Sequence, residues 1–185
     1  SIGLPMEDKV LAALRGNAYT NVAPVTIQSF ETANLRALRD KIGRQSNIRL
    51  LQLIGKGDAR PADIVRAGGT TTYAQMLTSD GLKEIASYAD GIGPELRSII
   101  PLDATGALGT PTMLVRDAHA AGLMVVPYTF RPENSFLAGN LRRGAANARN
   151  PEGSIAEIRA YLDTGIDAFF TDDPALGRRA VDGIP

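Results

Sequence analysis

Leu123-Met-Val-Val-Pro-Tyr-Thr-Phe-Arg131 and Gly165-Ile-Asp-Ala-Phe-Phe-Thr-Asp-Asp-Pro174 decide how this chain is read. Each is a short apolar run that turns polar at its C-terminal end. Each follows a helical stretch closed by a glycine, Gly122 or Gly165. A helix that stops on glycine and feeds an apolar strand is the unit of a parallel α/β sheet, because parallel strands are joined only by crossovers. In open sheets and barrels alike, the C-terminal ends of the strands are where chemistry gathers.

The same unit recurs upstream. Apolar spacing predicts a helix from Pro5 to about Asn17, a strand over Val25-Thr-Ile-Gln-Ser-Phe30 and a helix from Glu31 to Ile42 that Gly43 ends. Ile48-Arg-Leu-Leu-Gln-Leu-Ile54 reads as a strand covered on both faces, because its apolar run is nearly continuous. Residues 55 to 79 are a long irregular connection. A helix over Asp80 to Ala89 and a very short strand at Asp90-Gly-Ile-Gly-Pro94 follow, then an insertion with a helical turn over Glu95 to Gly109. Thr110 as N-cap and Pro111 at N1 predict a helix to Gly122. Beyond the strand at 123 to 130 lies a loop over 131 to 151, a helix over Ser154 to Thr164, a strand over Ile166 to Thr171 and a closing helix over Pro174 to Val181. No internal repeat is evident. The expectation is one α/β domain over 1 to 185, with an open doubly wound sheet and a partial (β/α)8 barrel as alternatives, since a whole barrel takes about 250 residues.

Composition narrows the function. Lysines plus arginines equal aspartates plus glutamates at 20 each, which argues against nucleic acid or an anionic membrane surface as the main partner. The absence of cysteine removes thiolate nucleophiles, disulfides and thiolate-bound zinc, and a single histidine, His119, leaves no pair for acid–base work. No run approaches the ~18 apolar residues of a membrane-spanning helix.

The strand ends supply the candidates. They are Gln28, Ser29, Phe30 and Glu31; Gln52, Gly55, Lys56 and Asp58; Gly93 and Glu95; Tyr128, Thr129, Phe130, Arg131 and Glu133; and Thr171, Asp172 and Asp173. Tyr128 with Phe130 and Arg131 is the sharpest group, an aromatic beside a guanidinium that suits a small ligand with an anionic part. The bland alternative packs Tyr128 in the core and uses Arg131 to tie a loop. Asp172-Asp173-Pro174 suits a helix cap better than a metal. Gly55-Lys56-Gly57 lacks the rest of a P-loop, and as a Schiff-base lysine Lys56 stands alone. His119 falls in the last turn of a helix, where a basic residue suits the helix dipole. Ser29 has no histidine base beside it in sequence and no nucleophile elbow.

Five motifs resemble the glycerophosphodiester phosphodiesterase family: Val25-Thr-Ile-Gln-Ser-Phe30, Leu35-Arg-Ala-Leu38, Ala118-His-Ala-Ala-Gly-Leu123, Val126-Pro-Tyr-Thr-Phe-Arg131 and Gly165-Ile-Asp-Ala-Phe-Phe-Thr-Asp172. The likeness runs in order along nearly the whole chain. It implies a (β/α)8 TIM barrel that hydrolyses glycerophosphodiesters to glycerol 3-phosphate and an alcohol, with a divalent calcium or magnesium ion held by early carboxylates and two histidines as acid and base. The family's early His-Arg-Gly, Glu-x-Asp and Glu-x-Lys segments have no counterpart here. The resemblance therefore implies that this chain holds about strands four to eight, with the metal ligands and catalytic residues in a preceding N-terminal barrel half. It carries over Gln28, Phe30, Tyr128, Phe130 and Arg131 as substrate-binding residues, with Glu133 less directly, and no catalytic or metal residue. The Pro-Tyr-Thr-Phe-Arg form is similar to the periplasmic or secreted branch. A non-catalytic ligand-binding or interaction module built from the same strands is the alternative.

Overall fold

The protein, here a computed structural model, is described over residues 6–44 and 46–183. It divides into two compact units, one ending at Ile92 and one beginning at Gly93.

The first unit alternates helix and strand: α1 (Met6–Gly16), β1 (Val25–Ser29), α2 (Thr32–Ile42), β2 (Ile48–Ile54), α3 (Ala62–Arg66), α4 (Tyr73–Met76), α5 (Ser79–Tyr88) and the opening residues of β3 (Gly91–Pro94). The Pro5 start expected for the first helix lies outside the described residues. β1 and β2 pair in parallel, from Val25 opposite Ile48 to Ser29 opposite Gln52, and β3 comes next in the sheet order. β2 is buried at Ile48, Leu50, Leu51, Gln52 and Ile54, as its continuous apolar run predicts. α2 turns Leu35 and Leu38 into the same core, and α5 turns in Leu82 and Ile85.

The connection over 55 to 79 is not structureless: α3 and α4 lie inside it. Thr72 starts α4 with a capping box, its hydroxyl taking the Gln75 N–H while the Gln75 side chain takes the Thr72 N–H. α3 supplies what α2 lacks. The N-cap of α2, Glu31, makes no side-chain cap; instead the Asp63 carboxylate accepts from Thr32 N at 2.8 Å, Thr32 Oγ1 at 2.9 Å and Ala33 N at 2.6 Å. Burial works to raise the Asp63 pKa, but the hydrogen bonds from Ala33, Thr32 and Ile64 outweigh it and hold the carboxyl below its usual range. At the other end of α2, buried Arg39 donates to Tyr88 O at 2.9 Å and pairs with Asp90 at 2.5 Å. The Asp90 carboxylate also takes Leu50 N at 2.8 Å, so the charge is paired and hydrogen-bonded at once.

The second unit contains the end of β3, α6 (Leu96–Ile99), α7 (Leu114–Ala120), β4 (Met124–Val125), a 3-10 turn (Gly139–Leu141), α8 (Pro151–Leu162) and α9 (Pro174–Asp182). Four sequence expectations are corrected here. α7 begins at Leu114 with Met113 as N-cap, so Thr110 and Pro111 belong to the preceding loop. The strand expected over 123 to 130 is regular only at Met124–Val125, and continues as an extended chain with isolated parallel bridges, Tyr128 to Glu95 and Phe130 to Thr171. The stretch 166 to 171 is not a regular strand, but it pairs along the same chain: Asp167 N donates to Val125 O at 3.0 Å, Phe170 N to Pro127 O at 2.9 Å, Phe130 N to Phe170 O at 2.9 Å and Asp172 N to Phe130 O at 3.0 Å. α8 starts earlier than expected, at Pro151, because Asn150 caps it through Gly153 N at 3.0 Å.

Both helix-closing glycines behave as read: Gly122 and Gly165 take φ of 80° and 88°, where a side chain is strained. The loop between Arg131 and Asn150 is built around two asparagines. Asn134 donates to Arg143 O at 2.6 Å and Ala145 O at 2.9 Å and accepts from Arg143 N at 3.0 Å. Asn150 donates to Asn134 Oδ1 at 3.0 Å and to Leu141 O at 2.8 Å. Both side chains are buried, so this long loop is ordered by its own polar core.

Candidate active site

In the second unit a cleft of about 290 Å³ opens where β3 and the extended chain after β4 end. Its wall includes Glu95, Arg97, Tyr128, Thr129, Arg131 and Phe136. The chain places these residues by pairing. Tyr128 N donates to Pro94 O at 3.1 Å and Leu96 N to Tyr128 O at 3.2 Å, which sets Glu95 beside Tyr128. The Tyr128–Thr129 peptide is cis.

Arg131 is held on two sides. Its Nε lies 2.8 Å from Asp172, and its guanidinium sits 4.7 Å from the centre of the Phe136 ring. Arg97 is held from behind. It donates to Glu157 at 2.9 Å, to Phe136 O at 3.1 Å and to Tyr161 Oη at 3.2 Å. Glu157 is buried and also takes Ala138 N at 3.1 Å. The Tyr161 hydroxyl donates to Leu96 O at 2.8 Å, and burial pushes its pKa up to about 12. This network fixes the wall: Glu157 holds Arg97, Arg97 holds the Phe136 backbone, and the Phe136 ring carries Arg131. Two guanidiniums beside an aromatic hydroxyl can receive an anionic, hydroxylated ligand.

The residues read from sequence are only partly brought together. Tyr128 and Arg131 share the cleft. Phe130 does not line it. At 1% exposure it is a core residue, edge-on to Tyr161 at 5.1 Å and to Phe169 at 5.4 Å, so its reading as a substrate contact is corrected. Gln28 and Phe30 belong to the first unit. Gln28 is exposed on β1, and Phe30, 42% exposed, stands edge-on to Tyr73 at 6.3 Å. The Phe30 carbonyl takes the buried Gln52 amide at 3.1 Å and the Tyr73 hydroxyl at 3.3 Å. Glu133 pairs its backbone with Arg149.

The expected helix cap falls one residue later than Asp172: Asp173 caps α9 through Leu176 N at 3.1 Å, with Pro174 at the first turn, while Asp172 pairs with Arg131. Lys56 is exposed, 3.9 Å from Asp58. His119 sits on α7 with its Nε2 2.9 Å from Asp167, whose carboxylate also takes Val125 N at 2.7 Å. Sequence reasoning passed over Arg97 as a site residue. It lies two residues beyond the strand-end Glu95, in a segment read as an insertion, and no periodic signal marks it. Among the described residues no three His, Cys, Asp or Glu side chains gather so as to hold a metal ion.

The chain is 33% identical over 179 residues to the glycerophosphodiester phosphodiesterase GDPD6 of Arabidopsis thaliana, covering 92% of this chain and 43% of that protein. It is 25% identical over 175 residues to a glycerophosphodiester phosphodiesterase of Treponema pallidum, covering 90% of this chain and 46% of that one. A crystal structure from Silicibacter pomeroyi, described as a glycerophosphoryl diester phosphodiesterase, superposes with a TM-score of 0.60 at 20% identity over 97% of this chain and 44% of that chain. At that identity the likeness speaks for the fold. The chain thus spans less than half the length of these relatives. The model of the glycerophosphoryl diester phosphodiesterase family matches residues 4–176, and with a match of that extent the chain belongs to that family.

Proposed function

We propose that this chain carries about strands four to eight of a (β/α)8 barrel that hydrolyses glycerophosphodiesters to glycerol 3-phosphate and an alcohol. The family match across residues 4–176 carries the reading. The cleft at the end of β3 and of the chain after β4 supports it, since barrel enzymes work at the C-terminal ends of their strands. In this reading Tyr128 and Arg131 hold the substrate, Arg131 facing its anionic part. A calcium or magnesium ion in the complete enzyme would stabilise charge on the phosphoryl oxygens. The described residues offer no ligand set that fits it; in this reading its carboxylate ligands and the acid–base residues lie in an N-terminal barrel half. The Pro-Tyr-Thr-Phe-Arg form of residues 127–131 supports a periplasmic or secreted location.

The test is release of glycerol 3-phosphate from glycerophosphocholine by the full-length protein that carries this segment. Hydrolysis is expected there, with Arg131→Ala raising KM about tenfold. No hydrolysis by the full-length protein, with ligand still bound, would favour a non-catalytic module. Hydrolysis by residues 1–185 alone would remove the division of labour between the halves.

A further inference from the structure

α8 turns Ser154, Ile158 and Tyr161 into the core. Between them, where helical spacing calls for an apolar residue, stands Glu157 at 1% exposure. A carboxylate there adds little to stability, because its desolvation offsets most of what its pairing gains. What it adds is placement. Glu157 Oε1 takes Ala138 N at 3.1 Å and Arg97 Nη2 at 2.9 Å, and the same Nη2 donates to Phe136 O at 3.1 Å. One oxygen thus fixes the 136–138 backbone twice, directly at Ala138 and through Arg97 at Phe136. The Arg131 guanidinium lies 4.7 Å from the centre of the Phe136 ring. Its other hold, the pair with Asp172, joins side chains 41% and 55% exposed, where an ion pair is screened and weak. The ring therefore does most to set where the guanidinium lies.

We propose that Glu157 is a positioning residue for ligand binding. It does not line the cleft, but it holds Arg131 in place through Arg97 and the Phe136 ring. Without its charge, Arg97 loses its tether, the 136–138 backbone loosens and Arg131 is left to its exposed pairing with Asp172. The inference rests on the reading above, in which Arg131 faces the anionic part of a glycerophosphodiester, and adds the buried residue that keeps it there.

The experiment measures kcat and KM for glycerophosphocholine in the full-length protein that carries this segment. Glu157→Gln keeps an oxygen for Ala138 N and removes the charge that holds Arg97. It is expected to raise KM about fivefold with kcat within about twofold of wild type. Phe136→Leu, which removes the ring at the end of the chain of contacts, raises KM to a similar extent. In the Phe136→Leu background, Glu157→Gln adds less than about twofold, because the two act in series. If Glu157→Gln fails to fold, Arg97→Lys takes its place, since lysine keeps a charge for Glu157 but loses the fork that also holds Phe136 O. Asp63→Ala, destabilised at a capping contact in the first unit, leaves KM unchanged and shows that lost stability alone does not move it. A KM that Glu157→Gln leaves unchanged, a fall confined to kcat, or a rise as large without the ring as with it overturns the proposal with the phosphodiesterase activity intact. If the ester is not hydrolysed, the activity reading fails and glycerol 3-phosphate binding by calorimetry carries the test. A Kd that Glu157→Gln raises about fivefold only when the ring is present upholds the positioning role. Absent binding, or effects that simply add, overturn it.

Discussion

Tyr161 shows how much one hydroxyl can be asked to do. It is fully buried on α8, donates to Leu96 O, sits 3.2 Å from Arg97 and packs edge-on against Phe130. Ionising it would place a negative charge in that core, which is why its pKa rises to about 12. The folded state therefore keeps this proton at pH values where the unfolded chain, with tyrosine near 10, has begun to lose it. The stability this contributes is fully present below about pH 10 and is lost as pH rises toward about 12. Urea unfolding at pH 8 and pH 11.5 reads it. Wild type loses about 2 kcal/mol more between the two than Tyr161→Phe does. Equal losses would mean that the hydroxyl is not desolvated as described. At pH 8 the same substitution costs about 1–2 kcal/mol, since Leu96 O and the Arg97 guanidinium each lose a partner.

Among elements, α2 illustrates a helix whose beginning is made by another helix. Glu31 precedes it with no cap of its own, and Asp63 reaches in from α3. Asp63→Ala is expected to cost about 1–2 kcal/mol in urea unfolding, a loss that Asp63→Asn partly recovers because an amide oxygen still accepts. Acid should erode the same contribution, which is complete above the ordinary carboxyl range and lost as pH falls through the lowered Asp63 pKa. Nothing in the sequence around Glu31 announces this, because the cap comes from a residue 30 positions away or more. What the sequence does announce is periodic or local. The continuous apolar run of β2, the glycines at 122 and 165, and Pro174 behind its aspartates each act through neighbours in the chain. The stretch 126 to 131 fails that test. Strand parity would turn Tyr128 and Phe130 the same way, but Tyr128 pairs with Glu95 and Phe130 with Thr171, and one lines the cleft while the other enters the core. Arg97 was hidden for the same reason as Asp63: its meaning comes from Glu157 and Tyr161, 60 and 64 residues on.

For the molecule as a whole, the even balance of charge hides an uneven distribution. Sixteen of the twenty basic residues are arginine, and the four lysines, Lys9, Lys41, Lys56 and Lys83, all precede Ile92. The unit that begins at Gly93 therefore offers amine chemistry nothing. Acylating dyes, amine cross-linkers and lysine-directed proteases sense the first unit alone, and a protease cutting after lysine leaves residues 84–185 in one piece. The four exposed amines should not react alike. The Lys41 ammonium is hydrogen-bonded to Asp8, 2.8 Å away, and the pairing raises its pKa, so less of it is free base at any moment. Brief acylation of the folded protein at pH 8, followed by peptide mass spectrometry, should find Lys41 the slowest of the four. If it reacts as fast as Lys56, the contact with Asp8 is absent in solution. Unmodified over its entire length, the second unit becomes a built-in reference against which labelling of the first can be counted.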